Sequence, residues 1–221
     1  MTLETRARQT RDLVVHELRA INTVPLIASV AGAVLIVGLT GRRAHVPAGA
    51  LSAAFLVAGV SIALGAAFIF DDPATDSISS TPTSLMFRRG VRMTLTCLPI
   101  AVVWGVMLGF ARLRVGPEMP LALPSLAFAA MLSFSLAAAA YGGRVVADGL
   151  GGLIGGPALL VTVGLSRTLP SRFQFFDSHS DAGYSAPLRL SVVIGICLVA
   201  LLWASLDPGR VNRLRAFKRQ R

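Results

Sequence analysis

The sequence predicts an all-α polytopic membrane protein, a single transmembrane domain over residues 1–221 with six membrane-spanning helices. Three observations predict it. Hydrophobic residues make up 54% of the chain and charged residues only 14%, where a soluble domain of average composition carries about 25% charged residues. The charges are clustered rather than mixed along the chain. Between the clusters lie six apolar segments, at 22–39, 46–70, 93–111, 121–143, 149–165 and 190–206, and none of them contains Asp, Glu, Lys, Arg or His. A bilayer core of about 30 Å needs about 20 apolar residues per helix, a length that these segments approach or meet.

The basic residues give the bundle a direction. Of the 21 Lys and Arg, fourteen fall on the side of the two termini and seven on the other side. Short loops rich in Lys and Arg stay cytoplasmic, so both termini are expected inside. The net charge of +10 then reflects topology and contact with anionic headgroups, and no nucleic-acid partner is expected.

Residues 1–21 are charged but periodic. Leu3, Ala7, Thr10, Val14, Leu18 and Ile21 share one helical stripe, while Arg8, Asp12, His16 and Arg19 face away. Such an amphipathic helix lies along the inner headgroups, with its arginines on phosphates. No small-residue cleavage site follows a short apolar core, so a signal peptide is not expected. Asn22 and Pro25 break this helix from the first span. A short outer turn at 41–45 makes a hairpin of the first two spans.

Residues 71–92 form a polar cytoplasmic insert, DDPATDSISSTPTSLMFRRGVR. Its aspartates are expected to cap a following short helix, with Pro73 in the first turn. After the break at Ser79–Thr83, residues 84–89 are expected to form a short turn of helix presenting Leu85, Met86 and Phe87 beside Arg88 and Arg89. An apolar tip flanked by arginines suits a groove on a soluble partner. It equally suits an interfacial segment with its apolar residues in lipid and Arg88, Arg89 and Arg92 on headgroups.

The remaining spans follow in order. The second, fourth and fifth are rich in small residues. Gly59, Ala63 and Ala67, and likewise Gly152 and Gly156, are spaced four apart, which lets helices approach closely. The inner turn after the fourth span is very short, and Pro157 is placed to kink the fifth. Residues 166–189 form the longest outer segment, re-entrant or interfacial, with Phe173, Phe175, Phe176 and Tyr184 suited to the outer headgroups. Residues 207–221 are a basic cytoplasmic tail.

Candidate chemistry is sparse. Cys97 and Cys197 both lie within predicted spans, where they act as small apolar side chains, and no metal site is expected. The aspartates Asp71, Asp72 and Asp76 at the inner end of the second span are similar to the motifs by which intramembrane prenyltransferases hold magnesium against a diphosphate, and hard carboxylate oxygens suit that ion. Such an enzyme needs a second acidic motif on the same side. The only candidate, Asp177-Ser-His179-Ser-Asp181, falls on the opposite face. That loop by itself lacks further metal ligands or a nucleophile elbow. Spans without ionisable residues also offer no obvious site for a coupling proton or sodium ion. If the chain moves a substrate, the energy is expected from another chain gripping the insert. A membrane scaffold recruiting a partner without transport is the third reading.

The whole pattern resembles the membrane subunits of ABC exporters of the type-2 group, in the form of small actinobacterial permeases. The resemblance rests on the amphipathic leader, six spans with both termini inside, a polar inner loop after the second span, and the acidic-Pro, Thr-Pro and Arg-Arg-Gly features of the insert. It implies a non-catalytic subunit of a bacterial plasma membrane, with residues 1–21 as the elbow helix and 71–92 as the coupling loop. Thr81, Pro82, Ser84, Leu85, Met86, Phe87, Arg88 and Arg89 would make the contact with an ABC ATPase subunit. ATP and magnesium would bind on that partner, with no cofactor on this chain. A second copy or a related permease would complete the path, in contact with membrane lipids.

Overall fold

The computed structural model describes residues 23–42, 47–71, 85–116, 121–145, 150–168 and 185–206. Six α-helices follow one another: α1 Val24–Gly41, α2 Ala48–Ala67, α3 Leu85–Val115, α4 Ala122–Val145, α5 Gly152–Thr168 and α6 Ser185–Ser205. A 3-10 turn, Phe68–Phe70, extends α2. Among the described residues there is no strand. Each helix overlaps one of the expected apolar segments.

Five of the six helices are long and apolar enough to cross a membrane: α1, α2 with its 3-10 turn, α3 from Arg89 onward, α4, and α6 from Ala186 onward. Five of the six expected spans are therefore supported, and α5 is the one that is not. Helix α5 has 17 residues, a rise of about 25 Å against a hydrocarbon core of about 30 Å. The expected segment opens at 149, which lies outside the described residues, and Leu150 and Gly151 precede the regular helix, which starts at Gly152. Pro157 lies within α5, and the helix runs through it.

One expectation for the insert is corrected: the described part of 84–89 forms no separate short helix. Residues 85–89 are the first turn of α3, which runs unbroken for 31 residues. The elbow helix (1–21), the tail (207–221) and most of the outer segment (169–184) lie outside the described residues.

Helices α2 and α4 form the centre. Of the membrane-crossing stretch of α2, 61% is buried, against 17% for α1 and 22% for α3. Lipid tails are as apolar as leucine, so helices associate by close packing and the small residues go inside. Accordingly Ala58, Ala63, Ala66 and Ala67 of α2 and Ala130, Ala139 and Ala140 of α4 are fully buried, whereas Val34, Leu35, Val102, Val106, Ile196 and Val199 point outward. The Gly59–Ala63–Ala67 face meets α4: a methyl on Gly59 would touch Phe128 and Met131. Ser135 of α4 donates to the Ala63 carbonyl at 2.6 Å. Other Ser and Thr hydroxyls in the helices, among them Thr40, Thr96 and Ser205, donate to carbonyls one turn back in their own helix. That pattern suits a solvent without acceptors.

Helices α4 and α5 approach closely, and glycine makes the approach possible. A Cβ on Gly155 would lie 2.9 Å from the Ala139 methyl and 3.0 Å from the Ser135 carbonyl oxygen. On Gly142 it would lie 2.9 Å from the Ile154 Cβ, and on Gly151 it would run into the Ala139 carbonyl. The pair spaced four apart that faces α4 is therefore Gly151 and Gly155. Gly152 instead faces Phe68 and Asp71, and Gly156 has only an ordinary contact with Leu64 of α2 at 3.6 Å. Cys97 and Cys197 are both free thiols.

Candidate functional site at the arginine end of the bundle

At one end of the bundle α2, α4 and α6 finish while α3 and α5 begin. The polar side chains that hold this end come from the edges of the apolar segments. Arg89, on the first turns of α3, is 9% exposed, and Arg92 is 4% exposed. The Arg89 guanidinium donates from Nη1 to the Ala204 carbonyl of α6 at 2.5 Å and lies 5.4 Å from the centroid of the Phe70 ring at the end of α2. Arg144, at the end of α4, donates from Nη2 to the Leu206 carbonyl and stacks 5.3 Å from the Trp203 ring. Two arginines from different helices thus grip the last turn of α6. Its free carbonyls and the negative end of its dipole attract cations.

Asp71 does the complementary work for α5. Its Oδ1 accepts a hydrogen bond from the Gly152 backbone N–H at 2.6 Å, satisfying one of the donors left open at a helix start. An aspartate was expected to cap a short helix in the insert. Instead Asp71 caps a helix 81 residues further on, because the end of α2 lies against the beginning of α5. Gly152 has to be glycine for this contact, since a Cβ there would lie 2.7 Å from Phe68 Cδ1 and 2.8 Å from Asp71 Oδ2.

Burial pushes the Asp71 carboxyl above its ordinary value of 3.8, and the bond from Gly152 pulls it down by less. A raised carboxyl holds its proton to higher pH in the folded state than in the unfolded chain. Its stabilising contribution is therefore complete below the ordinary value and is lost as pH rises through the raised one. Asp71→Asn keeps an acceptor for Gly152 and carries no charge. At pH 7 in detergent it is expected to unfold at the wild-type temperature or above, with the difference closing as pH falls below about 4. Asp71→Ala removes the acceptor and should cost about 1 kcal/mol. A pH series of thermal unfolding curves checks both, and an Asn variant as unstable as the Ala variant at pH 7 would contradict the assignment.

The expected contact residues separate into three groups. Thr81, Pro82 and Ser84 lie outside the described residues, as do the side chains of Leu85 and Arg88. Met86 and Phe87 are exposed on the first turn of α3. Arg89 is buried, with its guanidinium turned into the bundle onto the Ala204 carbonyl. The candidate acids Asp72, Asp76, Asp177 and Asp181 lie outside the described residues, as does His179. Among the described residues no group of three His, Cys, Asp or Glu is placed to hold a metal ion.

The candidate membrane-crossing part of α3 is longer than the charge-free segment 93–111, running from Arg89 to Val115. Periodicity carried a signal for this. The buried stripe of α3 is Ile100, Trp104, Met107 and Ala111, and the same helical spacing continues upstream through Thr96 to Arg92 and Arg89.

Fold and site together define a helical membrane protein whose helix ends are tied at one face by arginines and an aspartate. No protein-family model, no curated protein and no solved structure matches the chain.

Proposed function

We propose that this chain is the membrane subunit of an ATP-driven exporter of the ABC type-2 kind, in a bacterial plasma membrane with both termini cytoplasmic. It forms half of a translocation path, hydrolyses no ATP itself and docks an ATPase subunit through the turn that carries Met86 and Phe87. The observation that carries this reading is the overhang of α3. Its 31 residues rise about 46 Å, well beyond the hydrocarbon core, and Met86 and Phe87 are exposed on the overhanging first turn.

The arrangement behind that turn suits coupling. Arg89, one turn further along, ties α3 to the end of α6 and to Phe70 of α2. A push on the first turn would therefore reach two other helices through a buried strut. Helices α1 and α3 bury little of themselves, and an apolar groove of about 430 Å³ between them is lined by Val34, Val37, Val102, Val106, Met107 and Phe110. These faces leave room for a second copy or a related permease. The prenyltransferase reading gains nothing, since Asp71 already caps α5.

Met86→Asp with Phe87→Asp is expected to abolish co-purification of the chain with an ABC ATPase subunit from its own organism. The same variant should leave the unfolding temperature unchanged, because both positions are exposed. Undiminished ATPase binding by the double variant would overturn the docking assignment, and binding without ATP-dependent transport in proteoliposomes would favour a scaffold.

A further inference from the structure

We infer that residues 90–99 are a flexible joint in α3. The end of the helix that carries Arg89 moves together with the last turn of α6, while the half beyond Pro99 stays fixed on α2 and α4. The inference rests on the helix and its packing and stands without the exporter reading.

Three observations carry it. First, the sequence weakens the helix along this stretch. Pro99 lies inside α3, which runs through it. It supplies no N–H to the Leu95 carbonyl, and its ring crowds that carbonyl. Upstream, the Thr94 hydroxyl donates to the Gly90 carbonyl at 3.0 Å and the Thr96 hydroxyl to the Arg92 carbonyl at 2.9 Å. Such bonds back to the preceding turn loosen and bend helices. Gly90, Val91, Thr94 and Thr96 are also weaker helix formers than Ala or Leu.

Second, the stretch is held firmly at both ends and thinly between. On one side Arg89 donates to the Ala204 carbonyl of α6 and lies over the Phe70 ring. On the other, Ile100, Trp104, Met107 and Ala111 are buried, with Trp104 packed on Phe128 and Phe55. Within 90–99 no apolar side chain is fully buried, and Met93 and Cys97 are only partly so.

Third, the joint has room to open. Leu98 and Pro99 are exposed, and a methyl on Gly90 would meet nothing within 4 Å. A proline opens the helix on its own side and bends it away from the ring. Here that bend carries the Arg89 end towards the bundle. From Arg89 to Pro99 the helix rises about 15 Å, half of a hydrocarbon core of about 30 Å, so the bend falls near the middle of the membrane.

The full chain in detergent tests this, with Cys97→Ala and Cys197→Ala to leave no native thiol. Spin labels are attached at Met86→Cys and Leu113→Cys, both exposed positions, about 40 Å apart along a straight helix. Double electron–electron resonance should give a distribution with a component shorter than the straight-helix distance. Pro99→Ala should remove that component and raise the unfolding temperature, whereas Pro157→Ala in α5 should leave it in place. Arg89→Gln frees the end of α3 from α6, and it should enlarge the short component when Pro99 is present but not in the Pro99→Ala protein. A wild type showing only the straight-helix distance, or a short component surviving in Pro99→Ala, would overturn the joint. So would a lower unfolding temperature for Pro99→Ala, which would make the proline a packing requirement. No response to Arg89→Gln would overturn the linked movement of α6.

Discussion

Gly155→Leu is expected to destabilise the bundle by about 3 kcal/mol, at the upper end of what overpacking costs, and to lower the unfolding temperature by roughly 10 °C. The obstacle is mostly backbone. Even one added methyl would lie 3.0 Å from both the Ala139 nitrogen and the Ser135 carbonyl oxygen, so α5 would have to move off α4 as a body. That movement would strip the contacts of Gly151 and Gly142 on the same seam and disturb the Asp71 cap on Gly152. Gly164→Leu is the control on the same helix, since nothing lies within 4 Å of that position, and it should change stability by less than about 0.5 kcal/mol. Thermal unfolding in detergent, followed by the reactivity of the buried Cys197 thiol, measures both. Equal shifts for the two variants would refute glycine-dependent packing of α5 on α4.

Trp104→Ala should cost a similar amount, about 3 kcal/mol. Helix α3 is lightly packed, and Trp104 is its main anchor in the middle of the membrane. The indole stacks on Phe128 of α4 at 4.0 Å between ring centroids, nearly parallel at 15°. It meets Phe55 of α2 edge-on at 5.4 Å. In lipid the loss is one of dispersion contacts rather than of hydration, and the cavity would open between three helices. The indole Nε1 has no hydrogen-bond partner among the described residues, so Trp104→Phe forfeits ring area alone and should recover most of the stability. A Phe variant as unstable as the Ala variant would mean that the N–H makes an essential bond, contrary to this packing account.

Much of the architecture was legible in the chain because it depends on local properties. The length of an apolar run measures whether a helix can cross a bilayer, and that placed all six helices. It is least decisive at a glycine-rich boundary: Leu150 and Gly151 read as apolar but lie before the regular helix of α5, which has 17 residues. The insert was misread for a related reason. Arg88, Arg89 and Arg92 end the charge-free run, so the span was expected to begin at Met93, although helical spacing carries the buried stripe of α3 back to Arg89. Of the candidate site, the exposed apolar tip at Met86 and Phe87 was legible. The inward turn of Arg89 and the part played by Arg144 were not.

The sequence settled the helical content, the approximate ends of the helices and the asymmetry of charge, since each follows from residues adjacent in the chain and from the requirement that lipid-buried backbone bond to itself. Which face of each helix lies inside was left to the tertiary structure. Small residues occur on several faces, and in GLGGLIGGP the pairs Gly151/Gly155 and Gly152/Gly156 have identical spacing, so only contact with Ala139 distinguishes them. The ties of Asp71 to Gly152 and of Arg89 to Ala204 join residues 81 and 115 positions apart. No periodicity encodes such pairs. They exist because the bundle brings the C-termini of α2 and α6 to the same end as the N-termini of α5 and α3, where unpaired backbone groups and charged side chains satisfy one another away from water.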